Sequence, residues 1–159
     1  MPVLEKMKAA KRIRYIGMST SSDNQYGALM EAMRTYPLDF IQVDYSIENR
    51  NAAEAVLPLA LERKIGVLIN VPFGGRGQGA ASTFARVKGR ELPDWAAEFD
   101  ATSWAQVFLK YIVSHPAITA TIPGTTQVRN LEDNQGAGRG RLPDAAMRRR
   151  IEQFWDSLS

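Results

Sequence analysis

Two hydrophobic periods take turns along this chain. Over short runs apolar residues alternate with polar ones, as in a strand; between those runs they return every three or four residues, as in a helix covering a core. Residues 13–19 read as a first strand. Ser22 and Asp23 are placed to cap a helix whose Leu29, Ala32, Met33 and Tyr36 share a face until Pro37 stops it. In the second strand, residues 40–45, Ile41, Val43 and Tyr45 lie on one face and Gln42 and Asp44 on the other. Pro58 fits only a first helical turn and so marks a helix running to about Lys64, after which Gly66 precedes a third strand over 67–71. The longest connection, from Pro72 to about Thr102, opens glycine-rich and carries Phe84, Trp95 and Phe99, enough apolar surface to fold onto the body. Ser103 and Gln106 form a capping box for a helix with Trp104, Val107, Phe108, Tyr111 and Ile112 in one stripe. His115-Pro116 ends it, and residues 118–122 form a fourth strand. Residues 129–134 begin another helix, and a last one over 143–158 packs through Met147, Ile151, Phe154, Trp155 and Leu158.

Strand followed by helix, with no hairpin signal, implies parallel strands joined by right-handed crossovers. The expected fold class is α/β: a parallel (β/α)4 half-barrel, half of a TIM barrel, with an extra C-terminal helix. One domain is expected over residues 1–159, with a helix remnant over 1–11, four βα units over 12–135 and the final helix over 143–158. A whole barrel takes about 250 residues.

Charge and composition narrow the chemistry. With 20 basic and 17 acidic residues the net charge of +3 is too mild to indicate nucleic acid, and Arg148-Arg149-Arg150 is expected on the solvated side of the last helix. The absence of cysteine excludes disulfides and thiolate sites, and a single histidine argues against zinc. Ser19 has no histidine near it in sequence to act as the base of a hydrolase triad. His115 falls just before a strand, at the face opposite the expected site, where a helix-terminus role is expected. No run approaches the ~20 apolar residues of a membrane span, and the first residues lack the features of a signal peptide. No membrane partner and a cytoplasmic location are expected.

In a parallel α/β layout chemistry gathers at the carboxyl ends of the strands. Here those ends are Ser19-Thr20, Gln42 with Asp44, Asn70 with the glycine loop after it, and Gly124-Thr125-Thr126. The segments Arg14-Tyr15-Ile16-Gly17-Met18-Ser19, Ile41-Gln42-Val43-Asp44-Tyr45-Ser46 and Ile122-Pro123-Gly124-Thr125-Thr126 resemble the fifth, sixth and eighth strands of aldo/keto reductases. Residues 66–73 are similar to the seventh. The resemblance implies that Ser19 and Gln42 hold a nicotinamide carboxamide, and that Phe73, Gly74 and Arg76 belong to the segment crossing the pyrophosphate. It also implies that Thr125, Gln127, Asn130, Asp133 and Asn134 form the adenosine end, with Asn134 on the adenine. Three departures stand out: Thr20 where the family often has asparagine, Asn70 where many members stack a tyrosine on the nicotinamide, and Gly124 and Asn130 where many have lysine or arginine.

The family draws its catalytic aspartate, tyrosine, lysine and histidine from its first four strands, so the resemblance assigns no catalytic residue and no metal ligand here. It implies a truncated aldo/keto-reductase-like protein lacking the tetrad, with NADP(H) or NAD(H) bound weakly or not at all. Two alternatives stay open. One is an active NAD(P)H-dependent oxidoreductase taking its acid from a dimer partner or from a residue such as Tyr45; the other is a non-catalytic scaffold. A four-strand parallel unit has two unpaired edges, and a homodimer through them is expected.

Overall fold

Four parallel strands hydrogen-bond in the order β1–β2–β3–β4 in the computed structural model, which describes residues 1–75 and 82–158. They are β1 (Gly17–Ser19), β2 (Phe40–Asp44), β3 (Gly66–Asn70) and β4 (Ala120–Thr121). The helices are α1 (Pro2–Ala9), α2 (Tyr26–Thr35), α3 (Val56–Glu62), α4 (Thr83–Arg86), α5 (Trp104–Val113), α6 (Val128–Gly136) and α7 (Ala145–Ser157). Sequential parallel strands with helices between them make an α/β half-barrel, as the alternating periods predict. Among the described residues no helix is long and apolar enough to cross a membrane.

The strand period sorts the side chains. Ile41 and Val43 of β2 and Val67 and Ile69 of β3 have no exposed surface; they face the helices, against Met33 of α2, Leu57 of α3 and Phe108, Tyr111 and Ile112 of α5. Burying each such side chain contributes roughly 1.5–3 kcal/mol. The opposite, inner face carries Ser19, Gln42 and Leu68 in one register row and Asp44 and Asn70 in the next. Its lower end is closed by Phe40, whose ring lies over Gly66: a Cβ there would come within 2.5 Å of the ring. Tyr15 meets the same ring edge-on at 5.4 Å.

Several boundaries differ from the sequence reading, each for a local reason. The outer strands are shorter, three residues in β1 and two in β4, because each has only one neighbour to pair with. Upstream of β1 the Ile16 amide turns aside to the Asp39 carboxylate (2.8 Å), which also pairs with Lys8. Ser22 and Asp23 do not cap α2. The Ser22 hydroxyl donates to Asn24, and Asp23 accepts from Asn49 and Asn51 beyond β2. At α5 the Ser103 hydroxyl accepts from the Gln106 amide as expected, but the Gln106 side chain reaches back to the Thr102 amide. In the long connection Trp95 and Phe99 are buried, so its residues 94–99 fold onto the body, whereas Phe84 is exposed.

Arg148 departs furthest from expectation. Arg149 and Arg150 are exposed, whereas Arg148 turns inward, donating to Tyr45 Oη (2.9 Å), Ser114 Oγ (2.8 Å) and the Tyr111 carbonyl. Its guanidinium lies 4.3 Å from the Tyr111 ring centroid. Tyr111 donates to Glu152 (2.6 Å) and Tyr45 to Tyr111 (3.0 Å), so each hydroxyl gives one proton and accepts one.

His115 lies beside this network, edge-on to Tyr45, with its Nδ1 accepting from the Ala117 amide. Burial first, then the Arg148 charge, lowers its pKa from the ordinary 6.5, with Glu152 opposing. The unfolded chain therefore takes up a proton that the folded one resists, so stability is full above the ordinary histidine range and falls as pH drops through it. His115→Gln is expected to flatten the pH dependence of unfolding between about pH 7.5 and 5.5. An unchanged slope in denaturant titrations would show that His115 does not carry it.

Candidate functional site

Ser19, Gln42 and Asn70 stand on the inner face, Ser19 and Asn70 at the carboxyl ends of β1 and β3 and Gln42 two residues before the end of β2. Ser19 pairs with Gln42, and Asn70 pairs with Asp44, one step further along β2. Neither Ser19 nor Gln42 makes a side-chain hydrogen bond with another described residue. Asn70 is only 7% exposed. Its Nδ2 donates across β2 to the Thr20 carbonyl (3.2 Å), while its Oδ1 is buried with no partner. Val71, the next residue, holds φ at 49°, a left-handed conformation that costs a β-branched residue roughly 1–3 kcal/mol.

Around this trio the polar groups satisfy one another. The Thr20 hydroxyl is engaged by Gln25 (2.5 Å) and accepts from the Ser22 amide (3.2 Å). Tyr26 Oη donates to Asp44 Oδ1 (3.1 Å) and Asn49 Nδ2 to Asp44 Oδ2 (2.7 Å). Burial, then the charges of Asp44 and Asp23, pushes the Tyr26 phenol well above its usual range. Tyr26 and Asn49 escaped the sequence reading because each lies a few residues outside a strand end. Tyr45, the alternative acid, faces the other way: it is buried behind the sheet in the Arg148 network.

Beyond the end of β3 a cavity of about 470 Å³ opens between the starts of α5 and α6. Of the residues assigned by resemblance, Phe73, Thr125, Asn130, Asp133 and Asn134 line it. Phe84 and Trp104 complete an aromatic wall, with Phe73 and Phe84 centroids 4.9 Å apart and Trp104 stacked on Phe108 at 5.8 Å. The helical stripe had marked Trp104 as core, which hid its second edge in the cavity. Asp133 is committed to the scaffold, since its carboxylate accepts from Ser103 Oγ and Gln106 Nε2, both at 2.7 Å, tying α6 to α5. Thr125 Oγ1 accepts from the Gln127 amide (3.1 Å). Gln127 itself is exposed just before α6, outside the cavity lining.

Gly74, at φ 62°, begins the glycine loop and bridges to Ser82, so the loop is pinched at its base beside Phe73. Arg76 lies outside the described residues. Among the described residues no cluster of three or more histidines and acids could hold a metal.

The sheet and its helices define the class: half of a parallel (β/α)8 barrel, with polar groups gathered at the carboxyl rim. Two solved barrels share the fold. An aldo/keto reductase from Klebsiella pneumoniae in complex with NADP and acetate matches with a TM-score of 0.68 at 18% identity, over 97% of this chain and 52% of that one. The holo form of AKR11C1 from Bacillus halodurans matches with a TM-score of 0.68 at 20% identity, over 94% and 52%. The model of the aldo/keto reductase family matches residues 1–156, and the chain belongs to that family. It is 25% identical to probable aldo-keto reductase 1 of Glycine max, over 94% of this chain and 48% of that protein. It is 28% identical to aldo-keto reductase yakc [NADP(+)] of Schizosaccharomyces pombe, over 93% and 50%. The chain thus spans about half the length of the curated relatives it matches.

Proposed function

We propose that this chain is the dinucleotide-holding half of an aldo/keto reductase barrel, binding NADP(H) or NAD(H) along its carboxyl rim without the family's general acid, while a partner half completes the barrel. The observation that carries this is the continuity of the rim at β3. Asn70 ends the strand among the amide-bearing residues of the inner face, and Phe73, three residues on, already lines the cavity. Three extended residues span at most ~11 Å. The residues present fit such a ligand. A buried acceptor without a partner and two unpaired polar side chains mark one end, and aromatic walls with Asn134 mark the other.

Bound there, a nicotinamide supplies hydride transfer; the residues of this chain bind and orient it. No good acid faces it from the described rim. Tyr26 donates its hydroxyl hydrogen bond to the Asp44 carboxylate and has a raised pKa, so it yields its proton poorly to a substrate. We propose a second copy of the chain as the partner half.

The described cavity lining carries no cation, so a 2′-phosphate gains little there. Calorimetric titration is expected to give dissociation constants in the millimolar range, about −4 kcal/mol, with NADP(H) and NAD(H) within a few-fold of each other. Asn134→Ala is expected to weaken both by at least ~5-fold through a lost buried hydrogen bond. If millimolar cofactor leaves calorimetry and NMR spectra unperturbed, the scaffold alternative takes its place.

A further inference from the structure

We propose that α1 is the element through which one copy of the chain completes another: its Val3 and Leu4 seat in the groove beyond β4 of the second copy. The inference rests on the second-copy reading and deepens it by naming the segment that docks. The placement of apolar surface carries it. The large hydrophobic side chains exposed among the described residues fall mainly into two groups. Val3, Leu4, Tyr15 and Met18 form one, on α1 and beside β1. Ile122, Val128, Leu131 and Leu142 form the other, on the segments that follow β4. Only Tyr36, Leu61 and Phe84 lie elsewhere, and Phe84 lines the aromatic cavity. One apolar group thus stands at each sheet edge that has no described partner. Two identical chains related by a two-fold axis can cover both, because each copy offers one group and needs the other.

The helices at these edges bury little of themselves. None of the residues of α1 is buried; Met1 touches the core and Lys8 pairs with Asp39 (2.6 Å). Val3, Leu4 and Met7 share one side of it, with Val3 69% and Leu4 37% exposed. In α6 only Asn134 is buried. Asp133 ties α6 to Ser103 and Gln106 near the start of α5, and between α6 and β4 a groove of about 800 Å³ stays open. No charged side chain lines this groove, so it suits apolar groups. In a right-handed crossover, the helix leading into a strand packs over that strand and its preceding neighbour. In a barrel closed by a second copy, the neighbour preceding β1 is that copy's β4, which brings α1 over the groove.

The test uses the two-fold symmetry. Alone, Leu4→Lys and Leu131→Asp are each expected to raise the dimer dissociation constant at least ~10-fold in sedimentation equilibrium. Circular dichroism is expected to stay unchanged, because both side chains are exposed in the single copy. Leu61→Lys, exposed on α3, is expected to dimerise like wild type. An equimolar mixture of the first two variants is expected to recover dimers to within ~3-fold of wild type. In the heterodimer the new lysine meets the new aspartate at one seam and the native pair forms at the other, whereas each homodimer holds two mismatched seams. A mixture as weak as its components, or Leu4→Lys that dimerises like wild type, overturns the inference and leaves the strand edges alone to hold the pair. Wild type that stays monomeric at micromolar concentration overturns the second-copy reading with it, while cofactor titration of the same sample decides the dinucleotide reading separately. Should Leu4→Lys not fold, hydrogen exchange on wild type decides: the α1 amides are expected to gain protection as concentration rises, and equal exchange at every concentration overturns the inference.

Discussion

Replacing Arg148 by alanine is expected to lower the unfolding free energy by about 3 kcal/mol, the largest single-residue effect anticipated here outside the apolar core. The guanidinium makes charge-assisted hydrogen bonds to Tyr45 Oη and Ser114 Oγ, bonds the Tyr111 carbonyl and lies over the Tyr111 ring. Together these fasten α7 to α5 and to the end of β2. Truncation unfastens all three elements at once, and the half-buried Ser114 and the buried Tyr45 hydroxyls lose their donor. In a domain of this size that corresponds to a midpoint roughly 6–12 °C lower. Arg148→Lys is expected to recover only part of the loss, because an ammonium cannot bond several acceptors in a plane while stacking on a ring. Arg149→Ala, at an exposed neighbour, should stay within ~0.5 kcal/mol of wild type. Equal denaturation curves for the two alanine variants would show that the Arg148 contacts carry no stability.

The contrast between Arg148 and its neighbours shows where pattern reading reaches its limit. A run of three arginines reads as a polar face, yet position 148 falls at helical spacing from Ile151 and Trp155, both buried. The period therefore pointed inward while the charge pointed outward, and partners more than thirty residues away decided between them. Strand β2 lay at the legible extreme. Ile41 and Val43 alternate with Gln42 and Asp44 because one face meets helices and the other meets the barrel interior, and that period is local information. The lengths of β1 and β4 depend on how many neighbours each strand finds, which no local pattern encodes.

The site was legible to a similar degree. Polar residues at strand ends located the rim, and five of the residues assigned by resemblance meet in one cavity. Trp104 reads as a packing residue because a helical stripe cannot reveal that one edge is left open, and Phe84 reads only as apolar surface of the long connection. Asp133 passed for a ligand contact, and only the geometry shows its carboxylate spent on Ser103 and Gln106. The unmet oxygen of Asn70 has no sequence signal at all. It arises because the Thr20 carbonyl, fifty residues away in sequence, claims the nitrogen.

Purified protein is expected to scatter light as a dimer, at about twice the chain mass of 17.7 kDa. Among the described residues β1 pairs only with β2 and β4 only with β3, so each copy leaves two strand edges without described partners. Apolar surface borders both. Tyr15 and Met18 are exposed beside β1, while Ile122, Leu131 and Leu142 line a groove of about 800 Å³ beyond β4. Edges and patches of this kind are what soluble proteins ordinarily cover. A two-fold axis along the barrel axis leaves strand direction unchanged, so β4 of one copy meets β1 of the other in parallel, twice over, and eight strands close with no free edge. The solved barrels of the same fold are matched over about half their length, 52%, the share that one of two equal halves would fill. Ile122→Asp combined with Leu131→Asp places charges in the groove without touching the core. It is expected to raise the dimer dissociation constant by at least ~30-fold, on the order of 2 kcal/mol, with little change in circular dichroism. Wild type that remains a clean monomer at micromolar concentration, with ordinary stability, would rule out the self-completed barrel. The partner half would then have to be a different polypeptide segment, and the general acid would have to come with it.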